Sequence, residues 1–421
     1  MSHHVVVIGA GIVGACTAVE LLRGGCRVTI LEAGEAGGRQ AASFGNGAWI
    51  SPASIVPMSM PGLWRKVPGF LLDPLGPLTI RWTALPGLAS WLMRFLKAGS
   101  SVARVERTAR LLSALLADAP ARHKDLADEA GAGHLIRQSG LLYAYPDRIA
   151  FEAESLAWRL RRDNGVAWSE LEETELRAFE PSLGPQYRLG ILVGEGAHCL
   201  DPGAYVAALV AHAVSRGARL VKAQATGFVF DAGRLSGVKV GGRETIACDT
   251  VVLSAGIGSR SLARQAGDSV PLVSERGYHV EIRDPAMTLA VPVMPSDGKM
   301  GITMTEGGLR AAGQVELAAV EAAPDWRRAD VLLDHLKRAF PPLAGTVRPD
   351  SVARWMGHRP STPDGLPVIG RSTASADIFH AFGHGHVGLA AGPATGRIVA
   401  DIICGRAPAI PVEPYRAARF R

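Results

Sequence analysis

Three glycines and one carboxylate near the start of the chain carry its most specific chemistry. Gly9, Gly11 and Gly14 form a G-x-G-x-x-G run directly after the apolar, β-branched stretch 5–8. In that setting Gly9 makes a tight turn, Gly11 lets the backbone approach a pyrophosphate, and Gly14 lets a helix pack closely on a strand. The helix runs to about Arg23, with Ile12 and Val13 in its first turn and its unpaired N–H groups facing the phosphates. A second strand at 27–31 ends on Glu32 and Ala33, where the Glu32 carboxylate is placed to accept both hydroxyls of an unphosphorylated ribose. Strand, helix, strand and acid at these offsets predict a dinucleotide site.

Other stretches have the composition of backbone that lies against a ligand. Residues 33–47 are too small and polar to form a core, and Ser43 and Asn46, beside Gly47, can donate hydrogen bonds. An apolar run at 250–253 feeds a second small-residue turn at Ala255 and Gly256. Gly383, His384, Gly385, His386, Val387, Gly388 and Leu389 lead into a last helix, expected at 393–404. Upstream, Arg359 stands in an R-P-S-T-P-D-G turn.

The elements that must hold these groups read as two domains. A chain of 421 residues, 48% hydrophobic and 20% charged, buries a large core and is not disordered. The net charge of +6 is modest, and no Lys/Arg run resembles a nucleic-acid arm. Cys16, Cys26, Cys199, Cys248 and Cys404 are scattered, which argues against disulfides and gives no metal spacing. A dinucleotide-binding domain is expected from 1–60, 186–272 and 356–421. A substrate or cap domain is expected from 61–185 and 273–355. Within the cap, 103–130 reads as one long helix, and 274–284, 292–304 and 308–315 read as strands of a mainly antiparallel sheet. The apolar stretch 82–96 is broken by Pro86-Gly87, so it either packs inside the cap or dips into a membrane surface. No apolar run reaches the length of a spanning helix, and the strand that begins almost at Met1 leaves no room for a signal peptide. The expected location is cytoplasmic, with a possible peripheral seat on the inner face of the membrane.

The N-terminal unit, SFGNG, SERGYH, WMGHRPSTPDGLPVIG and GHGHVGLAAGPATGRIVADIICG together resemble the D-amino-acid oxidase superfamily of flavoenzymes. Within it the chain is most similar to bacterial D-amino-acid dehydrogenases of the small-subunit type. The resemblance implies an α/β fold: a Rossmann-like FAD-binding domain with a mixed-sheet α+β substrate domain. It implies FAD along Gly9, Gly11, Gly14, Glu32 and Ala33, with Ser43, Asn46 and Gly47 toward the pyrophosphate and flavin. Ala225 would approach adenine by its backbone, Ala255 and Gly256 would line the cofactor, and the 383–389 loop would offset negative charge on the reduced ring. No cysteine stands in GHGHVG, so the FAD is expected to be non-covalent.

By the same resemblance Arg359 would grip a substrate carboxylate bidentately and Tyr278 would donate to it. Arg310 is the next candidate anchor, and His384 and His386 would stand near the flavin or substrate. His358 and His386 are two more imidazoles than related dehydrogenases carry there. The implied reaction is oxidative deamination of an amino acid, of D configuration by the resemblance, with hydride transfer to flavin N5 and electrons passed to a quinone, a carrier or oxygen. No acid–base residue is required if the amine binds neutral, and no metal is expected. A D-hydroxyproline or opine-type dehydrogenase and a glycine or sarcosine-type oxidase are the alternatives.

Overall fold

Apolar residues on both faces of the strand His4–Ile8 place it inside a six-stranded sheet. The computed structural model describes residues 3–73, 75–242 and 244–421, with the backbone only at 66, 70 and 71. The strand order is Arg219–Lys222, Arg27–Glu32, His4–Ile8, Thr250–Leu253, Ile378–Phe382, Val368–Arg371, parallel except for the last pair. Val5, Val7, Ile30 and Val252 face helices on one side. Val6, Ile8, Leu31 and Val251 face a small antiparallel sheet and the helix Ser259–Gln265 on the other. Burial on both faces explains why these strands are continuous hydrophobic runs.

On the first side, the helix Ile12–Arg23 lies directly on the helix Gly388–Ile403. Gly392 faces Ile12, and Gly396 faces the backbone of Cys16 and Thr17. The contact advances four residues along both helices in the same sense, so they run parallel with their N-termini at the same end. A Cβ at Gly396 would stand 2.7 Å from the Cys16 carbonyl carbon, a distance no side chain tolerates.

The second, larger sheet is mixed and nine-stranded. It runs Val352–Ser361, Val273–Ile282, Gly308–Leu317, Gly301–Thr305, Val293–Pro295, Leu141–Tyr145, Leu189–Val193, Ser169–Glu172, with Leu78–Ile80 also beside Gly308–Leu317. One face carries Val280, Ile282, Leu309 and Ala311 against the helix Arg327–Ala339. The near face turns toward the 43–49 stretch, where Trp49 donates to Thr303 at 3.1 Å and Thr303 to Gly47 O at 2.9 Å. The divisions expected at 186 and 356 fall before one of these strands and within another, so sheet membership changes a strand away from them.

Several expected elements differ: the strand expected at 292–304 is two, Val293–Pro295 and Gly301–Thr305, and the last helix begins at Gly388 rather than 393. The single helix at 103–130 is two, Val102–Leu116 and Ala119–Glu129, because Pro120 has no N–H to give and its ring would clash with the carbonyl four residues back. The stretch 82–96 is a short turn, Trp82–Ala84, and a helix, Leu85–Ala98; Pro86 sits in that helix's first turn, where it breaks nothing. Leu88 and Trp91 pack against Ile80, Val273 and Leu317, while Trp82 and Met93 stay 62% and 73% exposed. No helix among the described residues is long and apolar enough to cross a membrane.

The glycine contact between the two parallel helices gives a stability test. Gly396→Val should lower the unfolding free energy by about 1–3 kcal/mol, since overpacking forces the helices apart. Equilibrium denaturation reads this; an unchanged midpoint would show that the contact is slack.

Candidate active site

The turn after His4–Ile8 is fixed from three directions. Gly9 has φ of 102°, and its N–H donates to Leu31 O at 2.8 Å. Ser254 Oγ lies 2.9 Å from Ile8 O and 3.1 Å from Gly9 O, tying this turn to the one that holds Ala255 and Gly256. Gly14 lies so close to the Gly9 carbonyl that a Cβ there would collide with it. Gly11 is open by comparison: its missing Cβ would meet only Ser43 Oγ, at 3.4 Å. The Ile12 N–H donates to that same Oγ at 3.1 Å, while the Ile12 and Val13 side chains are buried in the core and leave their backbone to the turn. Glu32 accepts from Ala10 N–H at 2.7 Å and Gly34 N–H at 2.9 Å, which orients a half-buried carboxylate beside exposed Ala33. Ala225 opens the strand Ala225–Asp231 and packs on the cluster that contains Leu31, alongside Ala255 and Ile257.

At the parallel helix's N-terminus, the loop from Gly383 reaches Gly388 through the turn Gly385–Val387. Val387 and Leu389 bury their side chains and so contribute backbone only. His384 is buried, its Nε2 2.9 Å from Thr395 Oγ1, and burial lowers its pKa to about 3. It is a neutral strut between loop and helix. His386 instead opens into the cleft, where the protein around it and the Arg359 charge keep its pKa below the usual histidine range against the pull of Glu275.

The near face of the large sheet closes the cleft. Arg359 stands opposite Glu275 in the neighbouring strand, and the next pair on this face is Gly277 and Gly357. With no side chains there, the guanidinium lies over Gly277, where a Cβ would collide with it. Its Nη1 donates to Glu275 Oε1 at 3.3 Å and Gln314 O at 3.0 Å; Nε has no partner among the described residues. The second Glu275 oxygen accepts from Ser361 Oγ at 2.9 Å.

Two of the expected substrate groups lie elsewhere. Tyr278 sits between Gly277 and His279 in a strand whose neighbours face opposite ways, so its ring enters the far-side core. Its hydroxyl donates to Glu316 at 2.7 Å and accepts from Asp325 N–H at 3.0 Å. Burial, then Glu316, push its pKa up to about 12. It has no reach to a ligand held by Arg359. Arg310 does lie on the near face, but its donors are spent on Glu281 at 3.0 Å and on Phe44 O and Asn46 O, each at 3.1 Å. It clamps the 43–47 loop rather than a substrate. His358 bonds Ser274 at 2.7 Å on the far face and leaves the cleft one imidazole poorer than expected.

Residues 4–402 match the family model for FAD dependent oxidoreductases named DAO. The chain belongs to the DAO family. Among curated proteins, this DAO enzyme is 50% identical over 418 residues to a D-amino-acid oxidase of Bradyrhizobium diazoefficiens, covering 99% of each chain. It is 32% identical over 428 residues to a D-amino acid dehydrogenase of Paramagnetospirillum magneticum, covering 99% of this chain and 98% of that one. Its fold matches glycine oxidase from Geobacillus kaustophilus with a TM-score of 0.74 at 22% identity, over 99% of both chains.

The structure fits the FAD that the family requires. Two helix N-termini share one end of the cleft, Gly11 leaves room for a phosphate, and Glu32, which accepts from Ala10, Gly34 and Gln40, keeps one Oε2 lone pair for a ribose. Sequence reading did not single out Glu275 or His279. Both were legible in SERGYH by period-two alternation, which sets them opposite Tyr278. His279 stacks on Trp355 and bonds Gly45 O at 3.1 Å, and so supports the ligand loop.

Burial, with Arg310 adding to it, lowers the His279 pKa to about 3; burial alone takes His123 to about 4. With His384, these rings are neutral when folded and titrate near 6.5 when unfolded. The unfolded chain therefore binds more protons between these values, and their contribution, complete above pH 6.5, is lost as pH falls. Stability should drop by a few kcal/mol between pH 7.5 and 5, visible as a falling Tm. A Tm that stays level or rises would mean that these histidines protonate without breaking their contacts.

Proposed function

We propose that this enzyme oxidises the Cα–H of a D-amino acid, giving an imino acid that water converts to the keto acid and ammonia. The observation that carries this is Arg359, a guanidinium laid on a side-chain-free gap with its Nε edge unspent and the flavin-side loop opposite. A carboxylate meeting Nε and Nη2 would be held by two parallel charge-assisted bonds, which fixes where Cα stands. The relatives' names supply the D configuration.

In this reading Gly9, Gly11, Ile12, Val13, Gly14, Glu32, Ala33, Ser43 and Ala225 hold the AMP and pyrophosphate half. Asn46, Gly47, Ala255, Gly256 and the 383–389 backbone hold the flavin half, and His386 faces the substrate. Bound there, FAD supplies a two-electron acceptor for the Cα hydrogen. Arg359 orients the substrate, and the loop's N–H groups favour added negative charge. No side chain need act as a base if the amine arrives neutral. The electrons then pass to oxygen in an oxidase, or to a quinone or carrier in a dehydrogenase.

A peripheral membrane seat is part of the proposal. Residues 63–110 contain eight Lys/Arg and two Asp/Glu, a surplus of six that equals the net charge of the whole chain. The same segment exposes Trp64, Leu72, Trp82 and Met93. Apolar side chains among basic ones suit an anionic lipid surface, where each Lys/Arg adds about 1 kcal/mol.

Two experiments test these readings. Arg359→Ala should cost about 2–4 kcal/mol of transition-state binding, roughly 30- to 1000-fold in kcat/KM, with FAD content kept. Arg359→Lys should recover only part, because an ammonium cannot form the two-pronged pair; near-normal turnover by Arg359→Ala would move the carboxylate anchor elsewhere. Separately, the protein should sediment with vesicles containing phosphatidylglycerol at low salt, less so at high salt, and less again as Trp82→Ser/Met93→Ser. Equal recovery with and without vesicles would remove the membrane seat.

A further inference from the structure

We infer that the side chain of the preferred substrate is large and apolar, and that it lies in a cavity walled by the helix Leu85–Ala98 and the end of the strand Gly308–Leu317. The inference rests on the D-amino-acid reading above and adds the substrate class to it. The cavity measures about 530 Å³, counted with its share open to solvent. Met58, Ile80, Trp91, Phe95, Val315 and Leu317 form its walls, and among the described residues Glu275 is the one charged group on it. A neighbouring cavity of similar volume shares Met58, Trp91, Phe95 and Glu275, and is bounded on its other side by Ser361 and the 383–386 loop. Glu275 therefore stands where the two spaces join, 3.3 Å from the guanidinium of Arg359.

That junction dictates how an amino acid must lie. Arg359 and Glu275 are the two charges of opposite sign at the mouth, so Arg359 meets the carboxylate of the head and Glu275 accepts a hydrogen bond from its neutral amine. With the head held there, the side chain has the apolar cavity beside it. The walls offer it nothing polar. The Trp91 indole N–H is already given to Ser361 O at 3.3 Å, and its ring stacks on Phe95 with centroids 5.0 Å apart. Glu275 already accepts from Arg359 and Ser361 and, with the head bound, accepts from its amine as well, which leaves little for a side chain. A hydroxyl or amide entering here loses its water partners without replacement, and a carboxylate meets Glu275 as well. An aliphatic or aromatic side chain gains from the same walls by leaving water.

The bulge in Gly308–Leu317 makes this wall. Gln314 has φ of 59°, and the register against Val273–Ile282 shifts between Arg276 and Tyr278. One extra residue reverses the alternation, so Val315 and Leu317 come to the near face, where Arg310 and Ala312 stand before it. The carbonyls that the bulge frees, Gly313 O and Gln314 O, accept from Arg359. One local irregularity thus seats the head-group anchor and turns the side-chain wall.

The test is steady-state turnover by the FAD-loaded enzyme of D-alanine, D-serine, D-aspartate, D-leucine, D-methionine and D-phenylalanine, followed by keto-acid formation with oxygen and with a redox dye. The kcat/KM for D-leucine, D-methionine or D-phenylalanine should exceed that for D-alanine by about 30-fold or more, with D-aspartate lowest. Best turnover of D-alanine, D-serine or D-aspartate would overturn the subsite and leave the D-amino-acid reading intact. No turnover of any D-amino acid would overturn both. Val315→Trp fills the cavity and should lower the D-phenylalanine to D-alanine ratio by about tenfold or more; Leu92→Trp, from the opposite wall, serves if the first variant does not fold. An unchanged ratio in a folded, FAD-loaded variant places the side chain elsewhere.

Discussion

Two helices can bring their N-termini to the same cleft only if they run parallel and almost touch, and here glycine alone permits that contact. Gly396 lies on the Cys16 backbone and Gly392 on Ile12, so the N–H groups after Gly11 and after Val387 come to a common end. Each terminus carries unpaired donors and about half a positive charge. Side by side they make a place that attracts an extended anion, and the rest of the cleft is built around that place. Ser254 locks the first turn to the neighbouring strand's turn, and His384 bonds Thr395 to lock the second to its own helix. Each device fixes a piece of backbone at that place.

The large sheet answers a different constraint, that charge taken out of water needs a counter-charge. Glu275, Arg276, Arg310 and Glu316 are all nearly buried on it. On the far face, Glu316 serves Arg276, Arg81 and the Tyr278 hydroxyl together. On the near face, Glu281 serves Arg310, and Glu275 serves Arg359. Removing one member of such a set leaves a buried charge unpaired, at a cost of about 3–5 kcal/mol. The two near-face pairs do different work. Arg310 spends its remaining donors on the 43–47 loop, while Arg359 keeps an edge open.

What the sequence could reveal divides along the same line. Gly9, Gly11, Gly14 and Glu32 were legible because their roles are local, set by spacing within one strand–helix–strand unit. Arg359 was named by resemblance alone, and its grip on a carboxylate is part of the proposal. The expected roles of Tyr278 and Arg310 do not fit their surroundings, because a sequence names residues without saying which face of a strand they take or what they bond there. For Tyr278 the alternation through Glu275, Gly277 and His279 held the answer. For Arg310 it did not: the near face is correct, but the carbonyls of Phe44 and Asn46 reach it across more than 260 positions of sequence. The bulge at Gln314 was equally hidden, since a non-glycine residue at positive φ leaves no compositional mark. Pro120 was in plain sight and should have divided the helix expected at 103–130.

In the proposed binding mode, the head and the side chain of the substrate would fall on parts that are anchored differently. The proposed head-group anchor, Arg359, is held on the sheet by a carboxylate and two carbonyls. The apolar cavity is walled by Trp91, Phe95 and Leu92 on a single helix whose outer face carries Met93, Arg94 and Lys97 toward solvent. That helix docks through a small cluster, Ile80, Leu88, Trp91, Val273 and Leu317. A substitution on its inner face alters the volume offered to a substrate without disturbing the pairs that hold the sheet. The same helix carries part of the segment's positive charge and apolar surface. A lipid surface that engaged its outer face would therefore press on the element that shapes the apolar cavity, and the two properties would change together.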